Sequence, residues 1–254
     1  MGIRTLKTVD LNCDMGESYG AWKMGDDAAV MPYITSANVA CGFHAGDPAT
    51  IRTTVQLAAG HGVAIGAHPS LPDLAGFGRR AMKITPQDMY DLVLYQAGAV
   101  EAFARAAGAR LHHVKCHGAL YNMAATDEAL SEAMARAARD LGVMVYALSN
   151  SKMMRVMKSQ GVRAAGEVFA DRGYSDDGTL APRERPGGMI EDPQLAVRQA
   201  LAMVEEGYVT SLSGKRVPVA ADTLCLHGDQ PGAVAFAKAI RRAFEEKGIT
   251  VAAP

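Results

Sequence analysis

Six times along this chain a short apolar run closes on polar side chains able to do chemistry. The tails carry Asn12, Asp14 and Glu17; Asn38, His44 and Asp47; His68; Lys115 and His117; Glu167, Asp171, Arg172 and Tyr174; and His227 and Asp229. Runs of this kind are the mark of parallel strands covered on both faces. Each tail then lies at a strand's carboxyl end, where open α/β sheets and β/α barrels gather their active sites. Six such tails in one chain point to an enzyme.

The punctuation between the runs is that of helices. Asp47-Pro48 sets an N-cap followed by proline at the first helical position, and Gly60 closes the segment. Thr85-Pro86-Gln87-Asp88 opens a helix that Gly108 ends, and Thr126-Asp127-Glu128 one that runs to Gly142. Asp192-Pro193 starts another, ended by Gly207, and Pro231 the last, ended near Gly248. Strand and helix thus alternate about seven times, and right-handed crossovers wind such a chain into a barrel. The expected fold is α/β, a single (β/α) barrel, and 254 residues suit one domain spanning positions 1–254. Ala170 to Asp192 breaks the rhythm. Loops this long are usually functional or disordered, and Asp171, Arg172 and Tyr174 directly after a strand favour a lid or substrate loop. Ser213-Gly214-Lys215-Arg216 reads as a solvated turn.

Composition excludes several partner classes. With 26 Lys and Arg against 27 Asp and Glu, the net charge of −1 gives no basic field for nucleic acid or an anionic membrane. No stretch approaches the ~20 consecutive apolar residues of a membrane span. The amino terminus shows no basic segment leading into a long apolar core, so a cytoplasmic location is expected. Cys13, Cys41, Cys116 and Cys225 are scattered singly, which fits neither a structural zinc spacing nor a disulfide framework. They read as small buried residues, although Cys41 and Cys116 each lie near a histidine able to lower a thiol pKa.

Asn12, Asp14 and Glu17 fall within six residues. Carboxylates this close can share a cation or divide acid and base roles; the alternative is that Asp14 and Glu17 cap a helix. His44, His68, His117 and His227 stand at strand ends, whereas His61, His112 and His113 lie at a helix end or early in a strand. Four histidines converging on one mouth with Asp14, Asp47 and Asp229 would make either a mixed nitrogen and oxygen metal site or a metal-free acid/base network. Spacing leaves both open, because the ligands would come from different strands. Lys115 and His117, two residues apart, share a face. Lys115 either holds a carboxylate or phosphate or pairs with Asp14 or Glu167. Arg172 is placed to grip an anion. No G-x-x-x-x-G-K-[ST] sequence occurs, so a P-loop in this chain holds no nucleotide.

The segments DLNCDMGE, SANVACGFHAGD, VAIGAHPSLPDLAGFGRR, HVKCHGALYN, EVFADRGYSDDGTLAPR and CLHGD run in order from about Val9 to the carboxyl terminus. They resemble the LamB/YcsF family, whose members serve as the A component of bacterial ATP-dependent 5-oxoprolinase. Cys13 and Cys116 stand where the family pattern usually has alanine and proline. The resemblance implies a seven-stranded, TIM-like barrel similar to the glycoside hydrolase and deacetylase architecture. It also implies the hydrolytic opening of 5-oxo-L-proline to L-glutamate, with ATP as co-substrate and with separate B and C subunits as partners. A five-membered lactam is a poor electrophile, and phosphorylating its oxygen lets water attack the ring carbon. Such a site needs a base for water, donors for the oxyanion and cations for carboxylate and phosphate.

On that reading the expected catalytic residues are Asp14, His44, His68, Lys115, His117 and Glu167. Asp14 or His44 would be the base, and His68 and His117 the oxyanion or metal partners. Asp14, His44 and His68 are the candidates for a divalent metal. Asn12, Glu17, Asn38, Asp47, Arg172, His227 and Asp229 are expected to bind substrate or phosphate. Two rival functions remain. A metal-dependent deacetylase or amide hydrolase of an N-acetyl sugar would lose activity with its metal and need no ATP, and a non-catalytic subunit would only position substrate for its partners.

Overall fold

The computed structural model describes residues 7–228 and 232–254. Asp229 and Pro231, expected in the site and at a helix start, lie outside the described residues. Among these residues seven parallel strands close a barrel. They are β1 (Thr8–Met15), β2 (Ser36–Ala40), β3 (Ala64–His68), β4 (Leu111–Val114), β5 (Met144–Leu148) and β6 (Ala164–Phe169), followed past an antiparallel hairpin of β7 (Tyr208–Thr210) and β8 (Arg216–Pro218) by β9 (Thr223–His227). Each barrel strand pairs with the next, and β9 returns to β1, so the sheet has no open edge. A short β10 (Thr250–Val251) pairs with the start of β1.

The outer layer is α1 (Asp27–Val30), α2 (Pro48–Gly60), α3 (Pro86–Ala106), α4 (Gly118–Thr126), α5 (Glu128–Leu141), α6 (Lys152–Ser159), α7 (Pro193–Leu201) and α8 (Ala233–Glu246). The caps work as their residue types dictate. Asp47 accepts from Thr50 N at 2.8 Å, Thr85 and Asp88 form a capping box, and Gly142 ends α5 at φ 68°. The helix expected to reach Gly207 passes from α7 into a π-helical turn at Ala202–Glu206. Helix α4 gave no sequence signal. It has no side-chain N-cap, and Ala119, Leu120, Tyr121, Ala124 and Ala125 are buried, so it lacks the polar stripe that marks a surface helix. Ser213-Gly214-Lys215-Arg216 is the tip of the β7–β8 hairpin, closed by Ser211 N donating to Lys215 O at 2.8 Å.

The barrel strands are not uniformly apolar, and this corrects the expectation of plain apolar runs. In β1, Val9, Leu11, Cys13 and Met15 belong to the buried apolar core, while Asp10, Asn12 and Asp14 alternate with them and bond across the lumen. Low in the barrel, Asp10 accepts from Thr35 Oγ1 at 2.5 Å, Ser36 Oγ at 2.8 Å and Thr223 Oγ1 at 2.6 Å. Burial pushes its carboxyl pKa up, and these hydroxyls hold the rise in check. One layer higher, Asn12 Nδ2 donates to Thr223 Oγ1 and Asn38 Nδ2 to Asn12 Oδ1, at 2.6 and 2.7 Å. His113 Nε2–H donates to Asn38 Oδ1 at 2.7 Å, and its ring stacks on Tyr146 with centroids 3.9 Å apart. Each such bond contributes about 1 kcal/mol net, and orphaning one buried partner costs about 1–3 kcal/mol, so the layer fixes side-chain positions from below the mouth.

Gly66 makes room for this layer, because a Cβ there would overlap the His113 imidazole. Gly66→Ala is expected to lower unfolding stability by about 3 kcal/mol in urea titrations. A loss below about 0.5 kcal/mol would mean that His113 does not occupy the lumen.

Candidate active site

At the carboxyl ends of the strands a cavity of about 350 Å³ opens onto the polar lumen. Its lining includes Asp14 from β1, His68 from β3, Lys115 and His117 after β4, Phe169 from β6 and His227 from β9. Strand register sets Asp14 beside Asn38 on one side and His227 on the other.

Lys115 makes both of the ion pairs anticipated for it. Its Nζ lies 2.8 Å from Asp14 Oδ1 and 2.8 Å from Glu167 Oε1, and 2.9 Å from Cys225 Sγ. Burial alone would lower the Lys115 pKa, but Asp14, Cys225 and Glu167 reverse this and hold it well above its usual value. Burial likewise works to raise Asp14. His68 and Lys115 outweigh it and keep the carboxyl well below the usual range, so Asp14 is ionised at neutral pH. Tyr121 OH donates to Glu167 Oε2 at 2.7 Å, which anchors the carboxylate behind the lysine.

Backbone carbonyls orient two of the histidines. His68 Nδ1–H donates to Lys115 O at 2.7 Å, and His117 Nε2–H to Phe77 O at 2.8 Å. The opposite nitrogens, His68 Nε2 and His117 Nδ1, stand 3.1 Å apart, with Asp14 Oδ2 3.2 Å from His68 Nε2. His44 stacks on His117 at 3.7 Å and 5°, and its Nε2 is 3.4 Å from Glu17 Oε1. Burial, then repulsion from neighbouring imidazoles, holds His44 and His117 well below the ordinary histidine pKa. Phe77 adopts φ 54°, uncommon for a residue with a side chain, in the turn that delivers its carbonyl to His117. Ligand atoms of Glu17, His44, His68 and His117 all lie within 4.8 Å of one another, and since the parallel His44 and His117 rings cannot both aim a lone pair at one ion, Glu17, His68 and His117 are the three that could hold a metal together.

Across the cavity, His227 Nδ1 lies 2.7 Å from Asp171 Oδ2. Burial works to raise Asp171, yet His227 and Arg172 pull its pKa down. The pairing orients the imidazole and leaves Nε2 as the nitrogen for exchange with the cavity. The segment after β6 supplies the wall, with Arg172, Leu180 and Arg183 among its residues, and Arg79 joins them. Arg172 braces this loop through Nε to Gly188 O at 3.1 Å and Nη2 to Ala181 O at 2.7 Å. Burial and the neighbouring Arg183 guanidinium bring its pKa down to about 10, the mark of a cationic wall.

The LamB/YcsF family signature matches residues 9–254. The chain belongs to that family. It is 59% identical over 247 residues to a Bordetella parapertussis protein named as the A component of 5-oxoprolinase, covering 96% of this chain and 98% of that one. A Brevibacillus brevis protein of the same name is 55% identical over 250 residues, covering 98% of each. The crystal structure of a lactam utilization protein from Thermus thermophilus superposes at TM-score 0.91 with 48% identity, over 97% of this chain and 100% of the other. A protein of Enterococcus faecalis, at TM-score 0.58 and 14% identity over 98% of both chains, shares the fold alone.

In this LamB/YcsF chain the structure gathers Asp14, His68, Lys115, His117, Arg172 and His227 at the cavity, with His44, Glu17 and Glu167 directly behind them. Three of the expected binding residues lie away from the cavity lining. Asn12 and Asn38 are fully buried in the lumen beneath Asp14 and do not line the cavity. Asp47 also lies off the cavity, its carboxylate taken by Thr50 N and by Gly20 N at 2.7 Å. Tyr174 is buried as well, with its OH accepting from Phe169 N at 2.8 Å, so it braces the loop rather than facing substrate.

The cysteines are the small buried residues expected of them, and only the reservation about Cys41 and Cys116 falls away. All four are free and buried, and burial pushes Cys41 far up and Cys116 up to about 12 despite the nearby histidines. A thiol-exchange reagent at about pH 8 is therefore expected to label none of them in the native protein and all four after denaturation. Rapid native labelling of Cys116 would contradict the burial. Sequence reasoning missed Arg79, Tyr121 and Arg183 as cavity residues and His113 as a support. Arg79 and Arg183 sit in segments without periodicity, and Tyr121 on the unsignalled helix α4.

Proposed function

We propose that this chain is the lactam-handling component of an ATP-dependent 5-oxoprolinase, opening 5-oxo-L-proline to L-glutamate together with separate B and C subunits. The observation that carries the reading is the cavity itself. It is cation-walled with an acid/base pair at its floor, and its volume falls in the roughly 300–1,000 Å³ range of small-molecule sites. The relatives named as 5-oxoprolinase components and the lactam utilization protein supply the substrate class.

The substrate carries a carboxylate and a lactam carbonyl on one small ring. Arg183, with Arg79 and Arg172 beside it, receives the carboxylate through charge-assisted bonds. Asp14, kept ionised by the Lys115 ammonium, orients water and takes its proton as the oxygen attacks the ring carbon. Collapse of the tetrahedral intermediate breaks the ring C–N bond, the departing nitrogen taking a proton from His227, which Asp171 orients, and a second water hydrolyses the resulting γ-glutamyl phosphate to L-glutamate and phosphate. A carboxylate held well below its usual pKa is a weak base, which suits attack on a carbon already activated. Transfer of the ATP γ-phosphoryl group to the lactam oxygen provides that activation. With no P-loop in this chain, the nucleotide falls to the partner subunits. A divalent ion held by Glu17, His68 and His117 would polarise the carbonyl or phosphoryl oxygen.

Calorimetric titration with 5-oxo-L-proline tests the reading. Binding by the isolated chain is expected, weakened about tenfold in Arg183→Gln, which corresponds to about 1.4 kcal/mol. No binding, or an Arg183→Gln chain that binds as tightly, would contradict it.

A further inference from the structure

We propose that Glu17, His68 and His117 form a mononuclear centre for a divalent first-row transition metal, set beside Asp14 rather than on it, with His44 stacked on His117 and placed against Glu17 from behind. The proposal rests on the lactam reading and deepens it, since it places a Lewis acid in the same cavity.

A carbonyl oxygen can only accept, so the bonds to Lys115 O and Phe77 O commit protons to His68 Nδ1 and His117 Nε2. In the neutral rings His68 Nε2 and His117 Nδ1 then both carry lone pairs, and these face each other at 3.1 Å. Two lone pairs at hydrogen-bond distance with no proton between them repel, whereas a cation there converts the repulsion into two bonds. Metal-binding imidazoles characteristically donate the second N–H to a carbonyl or carboxylate, as both do here. The spacing agrees. Donors placed tetrahedrally about 2.05 Å from a zinc-sized ion stand ~3.3 Å apart, and the observed separations are 3.1 Å for His68 to His117 and 3.8 Å for His117 to Glu17. Two imidazoles and one carboxylate, the donor set of open zinc sites, favour zinc, cobalt or nickel over magnesium or calcium, which take oxygen donors.

Asp14 Oδ1 receives Lys115 Nζ and Asn38 Nδ2, each at 2.8 Å, and although its Oδ2 lies 3.2 Å from His68 Nε2, Asp14 stands outside the cluster of mutually close donor atoms. Asp14, Cys225 and His227 form a second group of possible donors. That position already has its cation, because the Lys115 ammonium lies within 2.9 Å of both Asp14 Oδ1 and Cys225 Sγ. Among the described residues one metal per chain follows, not two.

The rival arrangement is a proton on His68 Nε2 bridging to Asp14 without metal. The full chain, stripped with a chelator and titrated with Co(II), separates the two by visible absorption and elemental analysis. About one equivalent is expected, with a rise in Tm, and His68→Gln and His117→Gln each weaken uptake by at least about 100-fold. Asp14→Asn still takes up one equivalent. Uptake below about a tenth of an equivalent by the parent chain, or unchanged affinity in glutamine variants shown folded by circular dichroism, overturns the centre. Loss of uptake in folded Asp14→Asn overturns the donor set. The 5-oxoproline titration on the same stripped protein keeps the readings apart. Substrate binding without metal uptake overturns only the metal centre, and metal uptake without substrate binding overturns only the lactam assignment.

Discussion

Asp14→Asn is expected to cut turnover of 5-oxoproline about 1,000-fold in the reconstituted enzyme while the barrel stays folded. Asparagine keeps the shape of the side chain and an oxygen for the Lys115 ammonium, so the layer below, from Asn38 to His113, retains its bonds. What it removes is the negative charge that orients water and accepts its proton. Lys115 stays paired with Glu167, which limits the stability loss to about 1–3 kcal/mol. The effect should fall on kcat with KM nearly unchanged, since the arginine wall is untouched. Activity within tenfold of the parent would remove Asp14 from the chemistry.

Lys115→Met should be the most destabilising single change in the site. It leaves Asp14 and Glu167 without their shared ammonium, and breaking a buried pair costs about 3–5 kcal/mol at pH 7. The loss depends on pH with a definite sign. In the parent, the folded-state pKa of Asp14 is depressed, so its contribution is present above the unfolded value near 4 and fades as pH falls through the folded value. Without the ammonium, burial moves the folded pKa of Asp14 upward relative to the parent, so the folded variant takes up a proton at higher pH. The stability gap should therefore narrow as pH is lowered from about 7 to about 4.5, as read by urea unfolding at each pH. A gap that widens on acidification would mean that Lys115 does not set the charge state of Asp14.

The large features of the fold were legible because local signals repeat. The Asp47-Pro48, Thr85-Pro86 and Asp192-Pro193 starts and the Gly142 and Gly207 stops fall where the helices begin and end. Lys115 pairing with Asp14 or Glu167 was one of two readings of its strand-end placement, and barrel closure, which turns β1, β4 and β6 toward one lumen, makes both pairs. The polar lumen was less legible. Asp10, Ser36 and Thr223 sit inside runs that read as apolar, and only barrel closure turns their alternate positions toward one another. The same closure separates Asn12 and Asn38, which support Asp14 from below, from the residues that face the cavity. Asp47 looked like a site residue because capping and catalysis draw on the same side chain at the same strand-to-helix junction. His113 gave no signal beyond its type, since its role depends on the room left by Gly66 on the next strand.

The most direct test of the account is glutamate release from 5-oxo-L-proline, with and without ATP, by this chain alone and then with B and C subunits. The account predicts release only when ATP and all three chains are present, and its loss when Asp14→Asn replaces the parent chain in the mixture. No release from the complete mixture, or ATP-independent release by this chain alone, would contradict it.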